Sequence, residues 1–400
     1  MADRKFIPFH LPSIGEEEIA EVSATLRSGW LTSGERTARF EREFQAYTGA
    51  RHALAVNSCT AGLHLALAAL DIGPGDEVIT TPLTFCATVN TILHVGATPV
   101  LADVLPDGNI DPDSIAERIT PRTRAIIPVH LAGHPCRMDA IWDLARRHNL
   151  KVIEDAAHAA DTRYRGMAPG AASTAGRSSD AVAFSFYATK NMTTGEGGMV
   201  TTNDPKLAER MRILCLHGIS KDAWNRYSEK GSWYYEVIEP GFKYNLSDVQ
   251  SAIGIHQLAK LERFHALRTA YAGVYTRRLG EIEEIEAPPH CAYGRHAWHL
   301  YVIRLNLDLL GVSRNQFIDE LRGRGVGTSV HFIPIPLHPF FRPWAHLEQN
   351  QCPRALDLYA RMISLPLYPS LNMDQIQFVT DSIKEIAAQH SRRQIVAARG

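Results

Sequence analysis

Lys190 stands just beyond the apolar run Ala181–Phe186 and just before the turn Gly195-Glu196-Gly197-Gly198. A partly desolvated lysine has a lowered pKa and serves as a nucleophile or a base. Glycines beside it let backbone approach a ligand closely. A lone lysine is ordinarily a solvated surface group, so Lys190 needs partners. Asp155 is a carboxylate embedded in the apolar run Lys151–Ala157. Such a group demands a cationic or strongly donating partner. His158 follows it and reads equally well as a structural histidine. Asn57-Ser58-Cys59-Thr60 puts two hydroxyls and free N–H groups at the start of a helical run, which makes an anion cradle. Taken alone, Ser58 or Thr60 simply caps that helix. Phe85 offers a face to a flat ring, or fills core. Ser185 ends the strand that leads to Lys190. An anion cradle, an aromatic plate, a buried carboxylate and an amine are the set that pyridoxal 5'-phosphate (PLP) requires.

The elements that must position these residues alternate between strand and helix. Strand-like runs fall at Ala53–Asn57, Glu77–Thr81, Thr98–Val104, Arg124–His130, Lys151–Ala157, Ala181–Phe186 and Gly198–Thr202. Helical runs lie at 60–70, 84–95, 111–119 and 137–148. Near-continuous apolar strands between amphipathic helices predict an α/β fold with a mostly parallel seven-stranded sheet covered on both faces. Ligands of such sheets bind beyond the carboxyl ends of the strands, where every candidate above falls. Upstream, Ser13 reads as the cap of a helix with Glu16, Glu17 and Glu18 in its first turn, and a second helix runs over Thr37–Thr48 to Gly49. The stretch 161–180 reads as loop, and 218–246 as an irregular aromatic segment with Trp224, Trp233, Tyr234 and Tyr235. A long helix from Ser247 to about Leu279 leads out of a large domain, 1–262. The rest, 263–400, reads as a smaller α+β domain with strands Trp298–Leu305 and Gly327–Phe332 and helices Arg314–Arg322, Pro353–Arg361 and Asp374–Gln389.

Composition narrows the classes further. The 400 residues are 45% hydrophobic and 21% charged, with a net charge of −1. No basic excess suits nucleic acid, no apolar run approaches a membrane span, and no apolar signal core opens the chain. Cys59, Cys86, Cys136, Cys215, Cys291 and Cys352 lack CxxC spacing, which predicts reduced thiols in the cytoplasm and no zinc site. No G-x-G-x-x-G follows the first strand, and no Walker A motif occurs. His130 and His134 are separated by Gly133, and His296 and His299 lack an acidic or cysteine companion, so no metal is expected.

With these residues in place, the chain resembles the DegT/StrS-type nucleotide-sugar aminotransferases, within the aspartate aminotransferase (fold type I) superfamily. The likeness runs from about Pro8 to Ile386. It is carried by SGWLTSG at 28–34, NSCTAGLHLAL at 57–67, GPGDEVITTPLTFCATVN at 73–90 and IIPVHLAG at 126–133. It continues through VIEDAAHA at 152–159, FSFYATKNMTTGEGGMV at 184–200, GFKYNLSDVQSAIG at 241–254 and SLPLYP at 364–369. The resemblance implies that Lys190 forms the Schiff base with PLP and that Asp155 pairs with its pyridine nitrogen. Ser58, Cys59, Thr60 and Ser185 then bind phosphate, Phe85 stacks on the ring, and His158 lies beside it. Cys59 stands where Gly or Ala is common. Asn245 matches an asparagine that reaches the neighbouring subunit's phosphate, which implies a homodimer with shared active sites. Trp30, Thr32 and His331 fall where the family lines its sugar pocket. Within the family, the segments His217–Arg226 and His296–Leu300 resemble enzymes that make UDP-4-amino-4-deoxy-L-arabinose.

The implied reaction moves an amino group from L-glutamate, leaving 2-oxoglutarate, to C4 of a UDP-linked ketosugar. Lys190 is its general base and acid, and Asp155 keeps the ring nitrogen protonated. Rivals on the same fold are a C3 ketosugar aminotransferase, a PLP-dependent sugar dehydratase or epimerase-like enzyme, and a non-catalytic regulator, which should have lost Asp155 or Lys190. The retained Lys190 argues against the dehydratase. No arginine fork for a second carboxylate is visible, which favours a sugar over a free amino-acid specialist. Core at a dimer interface is the competing reading of the aromatic segment.

Overall fold

The computed structural model describes residues 6–173, 177–220, 234–344 and 351–392. Trp224, Trp233 and most of the His217–Arg226 segment lie outside them. Helix α1, Glu16–Ser28, starts from Gly15 and not from Ser13. The Glu18 carboxylate accepts the Gly15 N–H at 2.8 Å and is gripped by Gln257 and Lys260, while Ser13 gives only its carbonyl, to Gln257. Helix α2, Glu35–Thr48, opens earlier than expected because the Asp248 carboxylate accepts the N–H groups of Gly34, Arg36 and Thr37. It ends on Gly49 at φ 76, a left-handed turn that glycine adopts without a Cβ clash.

The strands that follow are β1 (His52–Val56), β2 (Glu77–Thr80), β3 (Thr98–Leu101), β4 (Thr123–Ile127), β5 (Lys151–Asp155), the short β6 (Arg163–Tyr164), β7 (Ala181–Ser185) and β8 (Gly198–Thr202). All but β6 join one seven-stranded sheet in the order β1-β8-β7-β5-β4-β2-β3. Pairing is parallel from β3 through β7, and β8 runs antiparallel to both β7 and β1. Every residue of β7 and β8 is buried, as the continuous apolar runs require of a sheet covered on both faces. Helices α3 (Cys59–Ala69), α4 (Cys86–His94), α5 (Pro112–Arg118), α6 (Met138–His148) and α7 (Pro205–Cys215) cover it. Helix α3 is apolar nearly all round and packs against β7, β8, α4 and α7, so almost all of it is buried. Helix α7 escaped the sequence reading. Its signal is Asp204-Pro205, an N-cap carboxylate on the N–H of Lys206 followed by proline at the first helical position.

Helix α8, Asp248–Leu279, is capped by Ser247 and Gln250. After it come β9 (Ile285–Glu286), β10 (Gly294–Arg295, paired with β6), β11 (Tyr301–Leu305), α9 (Arg314–Gly323), α10 (Pro353–Arg361), β12 (Met362–Leu365) and α11 (Met373–His390). The second sheet has the order β12-β11-β9. The expected strand at 327–332 does not form. Residues 362–365 take the place beside β11, and Ser329 keeps a single bridge to Ser364. Gly327 pairs instead with Ile7, so the N-terminal segment closes that side. We propose a domain division near residue 262, inside α8. Leu258 and Leu261 pack in the core under β7 and β8, whereas Tyr271, Tyr275 and Leu279 join β11, α9 and α11. Among the described residues no helix is long and apolar enough to cross a membrane, and all six cysteines are free.

Candidate active site

A cavity of about 590 Å3 lies at the carboxyl ends of β1, β5 and β7. Lys190, Asp155, His158 and Phe85 line it, with Ser58, Cys59 and Thr60 on one side and Ser185 and His331 on others. Trp30, Thr32 and Asn245 are not among its lining residues.

Asp155 ends β5 and is buried. Its Oδ2 accepts the Thr88 hydroxyl at 2.8 Å and its Oδ1 the Ala157 N–H at 3.1 Å. Thr84 Oγ1 lies 2.7 Å from Thr88 Oγ1. Because the Thr88 proton goes to Asp155, Thr84 donates to Thr88. Burial pushes the Asp155 carboxyl above its usual range, against the pull of Thr88, Ala157 and Lys190. Every donor on this carboxylate is neutral, and the Cys59 thiol stands 3.9 Å away. A buried anion held only by neutral donors suits a cationic ligand atom.

Lys190 follows the turn after β7, and its N–H donates to the Tyr187 carbonyl. The residue keeps some surface where it borders the cavity, yet packing on its other sides desolvates the amine. Burial lowers its pKa to about 8, against the opposing pull of Cys59 and Asp155. At pH 7 about a tenth of such an amine is neutral and able to attack or to accept a proton.

His158 is buried, and its Nδ1 accepts the Ala132 N–H at 3.2 Å. The proton of the neutral ring therefore sits on Nε2. Burial and the neighbouring Lys190 hold its pKa well below the usual value. The ring stacks on Phe332 at 5.6 Å and 21°, and Phe332 in turn tilts against Phe85 at 5.8 Å. Phe85 is 60% exposed, so core filling does not describe it. Its face is open to a planar group. His331 stacks on Phe9, bonds Ser364 through Nδ1 at 2.9 Å, and is lowered to about 4 by burial and then by Lys190.

The two readings of Ser58 meet here. Its Oγ caps α3 by accepting the Ala61 N–H at 3.0 Å, while Ser58, Cys59 and Thr60 all border the cavity. Gly198 in β8 brings the sheet against this turn. A Cβ there would stand 2.7 Å from Cys59 N, Ser58 C and the Phe184 carbonyl oxygen. Ser185 is buried at the end of β7, and its Oγ has a 3.4 Å contact from the Tyr187 N–H. The helix start offers an anion site, Phe85 a flat face, Asp155 a place for a cation, and Lys190 an amine. This donor set fits PLP.

Trp30, Thr32 and Asn245 gather elsewhere. Asn245 Nδ2 donates to Ser33 Oγ at 2.8 Å, and its Oδ1 accepts from Lys243. The Thr32 carbonyl accepts the Asp248 N–H, and the Trp30 indole donates to the Ser33 carbonyl. They form one cluster at the start of α8. Sequence reasoning missed Thr88, Phe332, Tyr187, Glu196 and His299, all of which line the cavity. For Thr88 the signal was faint: two threonines four residues apart, Thr84 and Thr88, of which Thr88 reaches the carboxylate and Thr84 bonds Thr88. For His299 no sequence signal existed beyond the residue itself.

The profile of the DegT/DnrJ/EryC1/StrS aminotransferase family matches residues 12–384. The chain is 50% identical over 383 residues to the spore coat polysaccharide biosynthesis protein SpsC of Bacillus subtilis, covering 95% of this chain and 97% of SpsC. Its structure superposes on Spr1654 of Streptococcus pneumoniae, a candidate sugar aminotransferase, in the PLP form with a TM-score of 0.87 and 32% identity over 96% of this chain and 99% of that one. Helicobacter pylori PseC, an aminotransferase of pseudaminic acid biosynthesis, gives a TM-score of 0.88 at 30% identity, covering 96% of this chain and 100% of that one. The chain belongs to the DegT/DnrJ/EryC1/StrS aminotransferase family and is a PLP-dependent aminotransferase of fold type I.

Proposed function

We propose that this enzyme transfers an amino group from L-glutamate to C4 of a nucleotide-linked ketosugar, with UDP as the carrier. The pathway is amino-sugar biosynthesis for a surface polysaccharide, a lipopolysaccharide or a glycosylated natural product. The observation that carries the sugar is the chemistry of the cavity wall. Its described lining holds Asp155, Lys190 and Glu196 as charged groups and no arginine. The rest is hydroxyl, aromatic or imidazole, and burial keeps the imidazoles of His158, His299 and His331 neutral. Such a wall offers partners to the hydroxyls and faces of an uncharged polyol ring. The C4 position, the UDP carrier and the glutamate donor come from the family resemblance, and SpsC belongs to polysaccharide biosynthesis by name.

Bound PLP supplies an electrophilic carbon for the amine and an electron sink for the carbanion that deprotonation leaves. In our reading Lys190 attaches it, Asp155 holds the pyridine nitrogen protonated, and Thr88 orients Asp155. Ser58, Cys59, Thr60 and Ser185 bind the phosphate, and Phe85 and His158 flank the ring. Nζ of Lys190 takes the α-proton from the amino donor in one half-reaction. In the other it returns a proton to the sugar carbon that gains nitrogen. In the cofactor-free protein burial already brings its pKa to about 8, within reach of both gaining and losing a proton. Trp30, Thr32 and His331 bind sugar. Asn245 completes the phosphate site of a second copy, which makes the enzyme a homodimer with shared sites. Its position outside its own chain's cavity supports this.

The test incubates the enzyme with glutamate and paired 3-keto and 4-keto nucleotide sugars, and locates the new amine by NMR. Amination at C4 is expected. Amination at C3 alone overturns the position, dehydration overturns the reaction, and turnover of a free keto acid with neither sugar overturns the substrate class. Borohydride reduction and peptide mapping should place the pyridoxyl group on Lys190; a label on another lysine removes that residue's role.

A further inference from the structure

Behind the cavity, Asp161 and Asn191 form a buried chain of hydrogen bonds that ends on His299. Asp161 is 0% exposed, and Asn191 is buried beside it. Asn191 Nδ2 donates to Asp161 Oδ1 and to the Ala297 carbonyl, both at 2.8 Å. Two acceptors on one amide atom settle which end is nitrogen. The other end, Oδ1, therefore faces His299 Nδ1 at 3.0 Å, and that ring atom must carry the hydrogen. In the neutral ring the lone pair is then left on Nε2. His299 lines the cavity, and with its Nδ1 edge taken by Asn191 its Nε2 edge is the one left for it. His158, 4.3 Å away between ring centres, is locked the opposite way by the Ala132 N–H. One imidazole thus presents an acceptor and its neighbour a donor.

The backbone is committed to the same end. Trp298 sits at φ 49, a left-handed conformation that is costly for a bulky residue. Its N–H is held by His296 Nδ1 at 2.8 Å and its carbonyl by Arg268 at 3.3 Å, and its ring stacks on His296 at 4.0 Å. The N–H groups of His299 and Leu300 both reach the Ala132 carbonyl. The strained turn sets His299 against His158.

We infer that His299 is a positioning residue for the reacting nitrogen, held by Asp161 and Asn191 in the Nδ1–H form so that Nε2 accepts a hydrogen bond from the protonated nitrogen of Lys190. The other groups that face Lys190 are Asp155, Cys59, His10, His158 and His331. Arg268 also acts on His299, and His265 and Arg295 stand against Asp161, at 2.9 and 3.9 Å. The inference rests on Lys190 as the point of cofactor attachment. A pyridoxyl label on another lysine overturns that reading, whereas the outcomes below bear on His299 alone.

The experiment titrates the absorbance band of the PLP-loaded enzyme with pH, without substrate, in wild type, His299→Leu, His299→Gln and Asn191→Leu. Losing an acceptor disfavours the protonated nitrogen, so His299→Leu should lower the midpoint by about one pH unit. Asn191→Leu frees the tautomer and should lower it part of the way. Glutamine keeps an oxygen acceptor, so His299→Gln should restore most of the shift. Unmoved midpoints in both leucine variants, with only the melting temperature lowered, overturn the inference. If those variants do not load cofactor, 15N shifts of His299 in the wild-type holoenzyme decide. A bare Nε2 upholds the assignment, and a protonated Nε2 overturns it.

Discussion

Replacing Asp155 by asparagine separates what the carboxylate does for chemistry from what it does for the fold. Asparagine keeps an acceptor for the Ala157 N–H, now 3.1 Å from Oδ1. Its NH2 meets Thr88 Oγ1, now 2.8 Å from Oδ2, and the Thr88 proton can turn to Thr84 Oγ1 at 2.7 Å. The volume is unchanged, so no cavity opens. What disappears is charge. Burial holds the wild-type carboxyl above its usual range in the cofactor-free protein. For a group whose folded pKa is raised, its contribution to stability is complete below the unfolded value and is lost as pH rises through the folded value. At pH 8 the wild-type apoprotein therefore carries a burial penalty that the variant lacks. Apo Asp155→Asn should melt at or above the wild-type temperature, with a gain of about 1 kcal/mol at most. Acidification should narrow the gap, because the wild-type carboxyl, its pKa raised by burial, regains its proton as pH falls.

Chemistry should move the other way. The ring nitrogen loses its anionic partner, and removing such an electrostatic contact costs on the order of a hundredfold or more in rate. Ser185→Ala is the control, because its hydroxyl has only the 3.4 Å contact with Tyr187. It should cost less than about tenfold. The assay is a single-turnover half-reaction with the amino donor, read by absorbance, beside melting curves of the apo forms. If apo Asp155→Asn melts well below wild type at pH 8, the burial argument is wrong. Equal half-reaction rates in the two variants would remove the electron-sink role.

Three further outcomes are expected. Labelling of Lys190 in the apoprotein by an amine-selective reagent should accelerate with pH through a midpoint near 8, where burial has placed its pKa; a midpoint near that of free lysine contradicts the desolvation. Gly198→Ala should destabilise the protein by about 2 kcal/mol or more and weaken PLP binding, because its Cβ meets backbone at 2.7 Å on three sides; wild-type melting and affinity would show that the turn yields freely. Asn245→Ala should lose PLP affinity while remaining dimeric, and wild-type enzyme should sediment as a dimer at assay concentration; an active monomer contradicts the shared site.

The central sheet was legible because a strand buried on both faces must be apolar throughout, and seven such runs are hard to hide. Asp155 and Lys190 were legible for the converse reason: a charge inside or just beyond such a run is costly in any fold, so its presence announces a partner. Segment 327–332 was misread because its residue types suit a strand, while the place beside β11 was won by 362–365. The N-terminal segment at Ile7 took its hydrogen bonds instead. Thr88 could have been found, since a second threonine four residues before it, Thr84, bonds the hydroxyl that Thr88 gives to Asp155. His299 could not. A histidine in a loop carries no cost that needs explaining, and its tautomer is settled by Asn191, Asp161 and Ala297, while Ala132 settles that of His158. Those groups come from four separate places in the chain and meet only when the small sheet closes on the large one. Expensive groups are therefore readable in one dimension, whereas the neutral donors and acceptors that orient them acquire meaning only from contact.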